Sequence, residues 1–202
     1  MLMNNKAVIY IHGKVGSADE AERFKPLFSG FDVLGFPYSA ETPWQGKEEF
    51  TAYFKAVSKN YDELLIIANS IGAYFTMNAE LTEKFRQAFF ISPVVDMPKL
   101  ICDMMCACGV DEAQLQREKL IETPFGETLS WEYYQFAKTS SLEWSIPTHV
   151  IYGENDNLTS LETVRAFCCK TAATLDIMPG GEHWFHTPEQ LAFCDAVIKK
   201  YI

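Results

Sequence analysis

Ser70 lies in the stretch LLIIANSIGAYF, residues 64–75, where five apolar residues end at Ala68 and the polar pair Asn69-Ser70 follows. Ile71-Gly72-Ala73 then read as the start of a helix. A strand that turns into a helix at a serine lifts the hydroxyl out of the sheet's carboxyl edge. It also sets the next amide, that of Ile71, at a helix N-terminus, where developing negative charge is favoured. Such a turn presses together the residues two before and two after the serine, and here both are small, Ala68 and Gly72. The pattern is A-x-S-x-G, one methyl larger than G-x-S-x-G. The chemistry on offer is nucleophilic attack; the bland alternative is that Ser70 only caps the helix.

A reacting serine needs a base, and the base needs an acid to orient it. Of the four histidines, His149 lies inside an apolar run and reads as a core residue, and His12 reads as a structural hydrogen-bonder at a strand end. His183 follows the last apolar run in MPGGEHWF, where Gly180 and Gly181 permit an unusual backbone. Asp156, in YGENDN, is the candidate acid, although the same residues would suit any turn. Glu154 is a weaker candidate, and Asp96, on the loop after the run ending at Ser92, is the rival. In YIHGKVGS, Gly13 and Gly16 free the backbone near Lys14 to aim N–H groups at the same point, the second half of an oxyanion hole.

Competing readings fail on spacing. Lys14 precedes Gly16, whereas a P-loop lysine follows the last glycine, and two glycines are too few for the dinucleotide fingerprint. His183 and His186 are three apart rather than four apart on a helix, so no metal site is expected. Cys102, Cys106 and Cys108 lack a second pair and a nearby histidine, and read as small buried residues of a helix. Trp184, beside His183, is a candidate substrate contact together with Gly13. Trp44, Phe125, Trp131, Tyr133 and Tyr134 are further candidates to line an apolar pocket.

The elements that must position these groups alternate along the chain. Runs at 7–11, 31–36, 64–68, 88–92, 148–152 and 174–178 read as strands, mostly apolar on both faces as in a covered parallel sheet. Amphipathic segments at 17–29, 47–59, 71–84, 159–171 and 188–201 read as helices. This predicts an α/β three-layer sandwich: a mostly parallel sheet of about six strands with helices on both faces. Residues 1–202 read as one domain, with an insertion at about 97–146 too long for a simple crossover. It holds three predicted helices, one opened by Asp111 and Gln114 and another by Thr128 or Ser130. On the carboxyl side of such a sheet, this insertion would sit above the ligand crevice as a small cap.

The bulk composition excludes several classes. A net charge of −10 and a pI of about 4.9 disfavour nucleic acid and anionic membrane surfaces as partners. No apolar stretch approaches the roughly 18 residues a membrane helix needs. The amino-terminal run is too short for a signal peptide. Six clustered cysteines, two of them adjacent, make a poor disulfide framework and point to the reducing cytoplasm.

In the order Ser70, Asp156, His183, with IHGKVGS, ANSIGA, YGENDN and GGEHWF each after a strand, the chain resembles the α/β-hydrolase superfamily over essentially its whole length. The resemblance implies a serine hydrolase with no cofactor. Ser70 would be the nucleophile, His183 the base and Asp156 its partner, and the amides of Lys14 and Ile71 would form the oxyanion hole. The default substrate is a small carboxylic ester or thioester. An amidase, peptidase or C–C hydrolase could use the same residues, and so could a non-catalytic binding protein of this fold. A short cap that must also bury its own helices predicts small acyl groups, about two to six carbons, rather than long chains.

Overall fold

The structure, a computed structural model, describes residues 5–140 and 142–202. Residues 1–4, part of the amino-terminal stretch read above, and Ser141, within the insertion, lie outside the described residues. The chain begins with β1 (Lys6–Ile11), a 3₁₀ helix (Ala18–Leu27), β2 (Asp32–Gly35) and α1 (Pro43–Val57). It continues with β3 (Glu63–Asn69), α2 (Ile71–Asn78) and β4 (Phe85–Ile91). The insertion follows as α3 (Met97–Ala107), α4 (Glu112–Glu118), β5 (Leu120–Glu122), β6 (Thr128–Ser130) and α5 (Trp131–Thr139). The last part is β7 (Thr148–Gly153), α6 (Leu161–Thr171), β8 (Thr174–Met178) and α7 (Pro188–Tyr201).

Six strands form one sheet in the order β2-β1-β3-β4-β7-β8, and every pairing in it is parallel. Alternate residues of each strand feed two cores. Ala7, Ile9 and Ile11 of β1 join Phe50 and Phe54 of α1, Tyr74 of α2 and Val164 of α6 on one face. Val8 and Tyr10 join Phe24 of the 3₁₀ helix and Val197 and Ile198 of α7 on the other. Burial on both faces is why these strands read as continuous apolar runs. Because β2 lies on one side of β1 and β3 on the other, the chain reverses its winding between β1 and β3. Crevices for ligands form outside the carboxyl ends of the strands at such a switch point. Ser70 and the Gly13 loop both lie there.

The details depart from expectation where capping or packing overrides periodicity. The segment at 17–29 is a 3₁₀ helix rather than an α-helix and carries Pro26, which has no N–H to give. α1 starts at Pro43 because Thr42 and Gln45 form a capping box around it. α2 stops at Asn78, short of 84. The insertion holds the three helices, with Asp111 and Ser130 as N-caps, plus an antiparallel hairpin, β5–β6, that the sequence reading missed. α3 buries Met97, Ile101 and Met105, one face of the helix, so the neighbouring Cys102 and Cys106 turn to solvent rather than into the core. His149 is likewise no core residue: its ring is half-buried, stacked on Tyr201 at 3.6 Å between centroids and hydrogen-bonded to Thr174.

Candidate active site

Ser70 adopts φ 51° and ψ −121°, a conformation that costs a residue with a side chain about 1–3 kcal/mol. Three backbone hydrogen bonds hold it there. Its N–H donates to Ile91 O (3.0 Å), and its carbonyl accepts from the N–H groups of Ala73 (3.2 Å) and Val94 (3.1 Å). A methyl on Gly72 would stand 2.5 Å from the His12 carbonyl oxygen and 2.8 Å from Ile11 Cγ2, so the end of β1 forbids a side chain there.

The Ser70 hydroxyl lies 2.9 Å from His183 Nε2, and His183 Nδ1 lies 2.7 Å from Asp156 Oδ2. The Asp156 side chain is wholly buried, and its Oδ1 accepts from the amides of Leu158 (2.8 Å) and Thr159 (2.9 Å). Those two bonds fix the carboxylate plane and point Oδ2 at the imidazole. The loops after β7 and β8 meet because both carry glycine where they touch. A methyl on Gly153 would fall 2.4 Å from Glu182 O, and one on Gly181 would fall 3.1 Å from Gly153 Cα. Asn155 N–H donates to Gly181 O at 2.7 Å across the same seam. Glu154, weighed as an acid, instead accepts from Gly180 N–H (2.9 Å) and steadies the turn before His183. Asp96 caps α3 by accepting from Lys99 N–H at 2.9 Å.

On the other side of Ser70, a methyl on Gly13 would lie 3.1 Å from Ser70 Cβ, so the loop after β1 rests on the serine. No acceptor among the described residues takes the amide N–H of Lys14 or of Ile71. His12 stacks on Tyr38 (4.2 Å between centroids), whose hydroxyl donates to His12 O at 2.8 Å. Burial, then the nearby Glu49 charge, pushes the Tyr38 hydroxyl above its ordinary pKa, so it remains a donor. Glu20 accepts from Ser17 N–H and from the Tyr10 hydroxyl, tying the far end of the loop to β1. Tyr38 and Glu20 were missed by sequence reasoning; only the Ser17–Glu20 spacing, a capping box, carried a signal.

The aromatic candidates scatter. Trp44 and Trp131 line a trough of about 530 Å³ with Glu132, Gln135, Phe136 and Thr139. Tyr133 packs on Trp44, whereas Tyr134 is buried against Cys102 and Glu112. Trp184 and Phe125 are exposed, and Trp184 stacks on His186. Among the described residues, no three His, Cys, Asp or Glu side chains gather as metal ligands would. Nor is any helix among them long and apolar enough to cross a membrane.

In such a hydrogen-bonded line an imidazole can take the hydroxyl's proton while the buried carboxylate stays ionised and orients the ring. No protein-family model matches the sequence, and neither does any curated protein. Solved structures do match. Est1E from Butyrivibrio proteoclasticus superposes with a TM-score of 0.72 over 97% of this chain and 86% of its own, at 17% identity. Alpha/beta hydrolase domain-containing protein 10 from mouse gives 0.69 over 96% and 88%, at 13% identity. A lipase-esterase related protein from Clostridium acetobutylicum gives 0.67 over 99% and 96%, at 14% identity. The chain has the α/β-hydrolase fold.

Proposed function

We propose that this protein is a serine hydrolase that cleaves a small carboxylic ester or thioester through an acyl-enzyme on Ser70. The observation that carries the reading is the hydrogen-bonded line from Ser70 Oγ through His183 to Asp156 Oδ2, at 2.9 and 2.7 Å. In the first step Ser70 Oγ bonds to the carbonyl carbon while His183 Nε2 takes its proton. Asp156 stays ionised, holds the tautomer and stabilises the imidazolium. The oxyanion settles on the amides of Lys14 and Ile71, an interaction worth about 3 kcal/mol per donor. His183 then gives the proton to the leaving alcohol or thiol, and water repeats the sequence on the acyl-enzyme. These steps use no cofactor. Gly13 keeps the approach to Ser70 clear, and Trp184, exposed beside His183, offers an apolar contact to the substrate.

The names of the structural neighbours favour acyl chemistry: one is a marine microorganism esterase, and Est1E is also solved with ferulic acid bound. Acyl groups of about two to six carbons fit the short insertion best. Six free thiols suit a reducing compartment, and the reading places the protein in the cytoplasm. A fluorophosphonate probe tests the proposal. It should label the peptide containing Ser70, and Ser70→Ala should abolish both labelling and turnover of p-nitrophenyl acetate. Labelling at another serine, with Ser70→Ala still active, would sink the assignment. A probe that never reacts, with acyl compounds still raising Tm, would make the protein a binder on the same fold.

A further inference from the structure

We propose that Glu127, on the β5–β6 hairpin, is a positioning residue for the oxyanion loop: it grips Lys14 and so holds the Lys14 amide toward Ser70. The catalytic consequence rests on the hydrolase reading above; the positioning itself does not. The loop's two ends are tied from beneath. Tyr38 holds His12 O, and Glu20 holds the Ser17 amide. Its middle is different. Val15 is fully exposed and sits at φ 57°, a left-handed conformation that a β-branched residue resists. No apolar burial offsets that cost. A local bond from Gly16 N–H to Gly13 O (3.2 Å) closes the turn. The tie from Lys14 to a distant part of the chain is the ion pair of its Nζ with the Glu127 carboxylate, 113 residues away.

Glu127 is itself well mounted. Its N–H donates to Thr123 Oγ1 (2.9 Å), and its carbonyl accepts from both the Thr123 hydroxyl (2.8 Å) and the Thr123 amide (2.8 Å). A closed five-residue turn therefore presents the carboxylate from a fixed place. Because Gly13 rests on Ser70, any drift of this loop alters the distance from the Lys14 amide to an oxyanion on the Ser70 adduct. The pair is partly exposed, with side chains 61% and 37% accessible, so its effect is modest and sensitive to salt.

Glu127→Gln keeps the shape and removes the charge. With neutral p-nitrophenyl acetate at low ionic strength, kcat should fall about two- to fivefold with KM unchanged, because the contact matters only once charge develops on the oxygen. Raising salt to about 1 M, where the screening length is about 3 Å, should bring wild-type kcat down to the variant's level and leave the variant flat. The reversed pair, K14E with E127K, should recover at least half of the loss. Hydrogen exchange at the Gly16 amide, read without any substrate, should quicken in Glu127→Gln at unchanged Tm. A variant with wild-type kcat and wild-type exchange overturns the proposal, and so does a loss that neither salt nor charge reversal moves. If wild-type Ser70 never reacts with fluorophosphonate, the hydrolase reading fails, while the exchange measurement still decides whether Glu127 holds the loop.

Discussion

Replacing Asp156 by asparagine changes one oxygen to an NH₂ group, and the geometry dictates which one. Oδ1 faces two N–H donors, those of Leu158 and Thr159, at 2.8 and 2.9 Å. An NH₂ group cannot sit there, so the amide oxygen keeps that side and the nitrogen turns to His183. His183 must then offer a lone pair at Nδ1, which moves the ring proton to Nε2, facing Ser70 at 2.9 Å. In that tautomer it cannot accept the serine proton. The same tautomer error costs a serine protease about 10⁴ in kcat. At about 1.36 kcal/mol per decade this is roughly 5 kcal/mol of transition-state stabilisation, and a loss of that order is expected here. The fold should lose far less. Two of the three hydrogen bonds survive, and a weakened charge-assisted bond accounts for about 1–3 kcal/mol. Turnover of p-nitrophenyl acetate and the rate of fluorophosphonate labelling should fall together while circular dichroism stays native. The control is Asp96→Asn, which keeps an acceptor for Lys99 N–H at the cap of α3 and should leave stability within about 1 kcal/mol and turnover within about twofold of wild type. Activity of Asp156→Asn within tenfold of wild type, or an equal loss in Asp96→Asn, would refute the argument.

Three further outcomes are expected. Gly72→Ala drives a methyl into the His12 carbonyl and Ile11, so it should cost about 1–3 kcal/mol in stability and shift the Ile71 amide, lowering kcat at least tenfold; normal Tm and kcat would contradict the packing. Burial lowers the pKa of His149 in the folded protein below its ordinary value of 6.5, so below that pH the unfolded chain binds more protons. Stability should therefore rise with pH through this window, with a shallower slope in His149→Gln, and identical slopes would count against it. Burial also pushes the Cys168 thiol up to about 11 and Cys194 up to about 12, so a thiol reagent at neutral pH should modify exposed Cys102, Cys106 and Cys169 first. Modification of Cys194 in the folded protein at the same rate would be inconsistent with that burial.

The six strands were legible because a strand covered on both faces is a short apolar run with polar ends, and each run lies within about three residues of a strand end. A parallel sheet sends every strand-to-helix loop to one edge, so Ser70, Asp156 and His183 share that edge by topology alone. Their hydrogen bonds do not follow from topology. They depend on Gly153 and Gly181 touching back to back, a contact between residues whose glycines look like ordinary loop punctuation. The β5–β6 hairpin escaped notice because each strand has three residues, too few for a period of two to register. Cys102 and Cys106 were misread for want of the helix phase, which Met97, Ile101 and Met105 set. Glu127 carries no local signal at all, since its partner lies 113 residues away.

The sheet order has a consequence for how this site could change. Ser70 and the Gly13–Lys14 loop stand on β3 and β1, while Asp156 and His183 stand on loops after β7 and β8, and β4 lies between the two groups. Each group is anchored within its own half: the serine side by Gly72 and Gly13 against their neighbours, the acid–base side by the Gly153–Gly181 seam. At the site itself the hydrogen bond from Ser70 to His183 spans the divide, and at the sheet's flank Arg23 of the 3₁₀ helix reaches Asp195 of α7 at 2.8 Å. The halves are thus interchangeable parts on a common frame. A thiol in place of the hydroxyl would meet an imidazole already held by Asp156, and a new acid–base pair would meet a turn already held by Ile91 and Val94. Such a layout lets the chemistry be rewritten on one side of β4 without refolding the other.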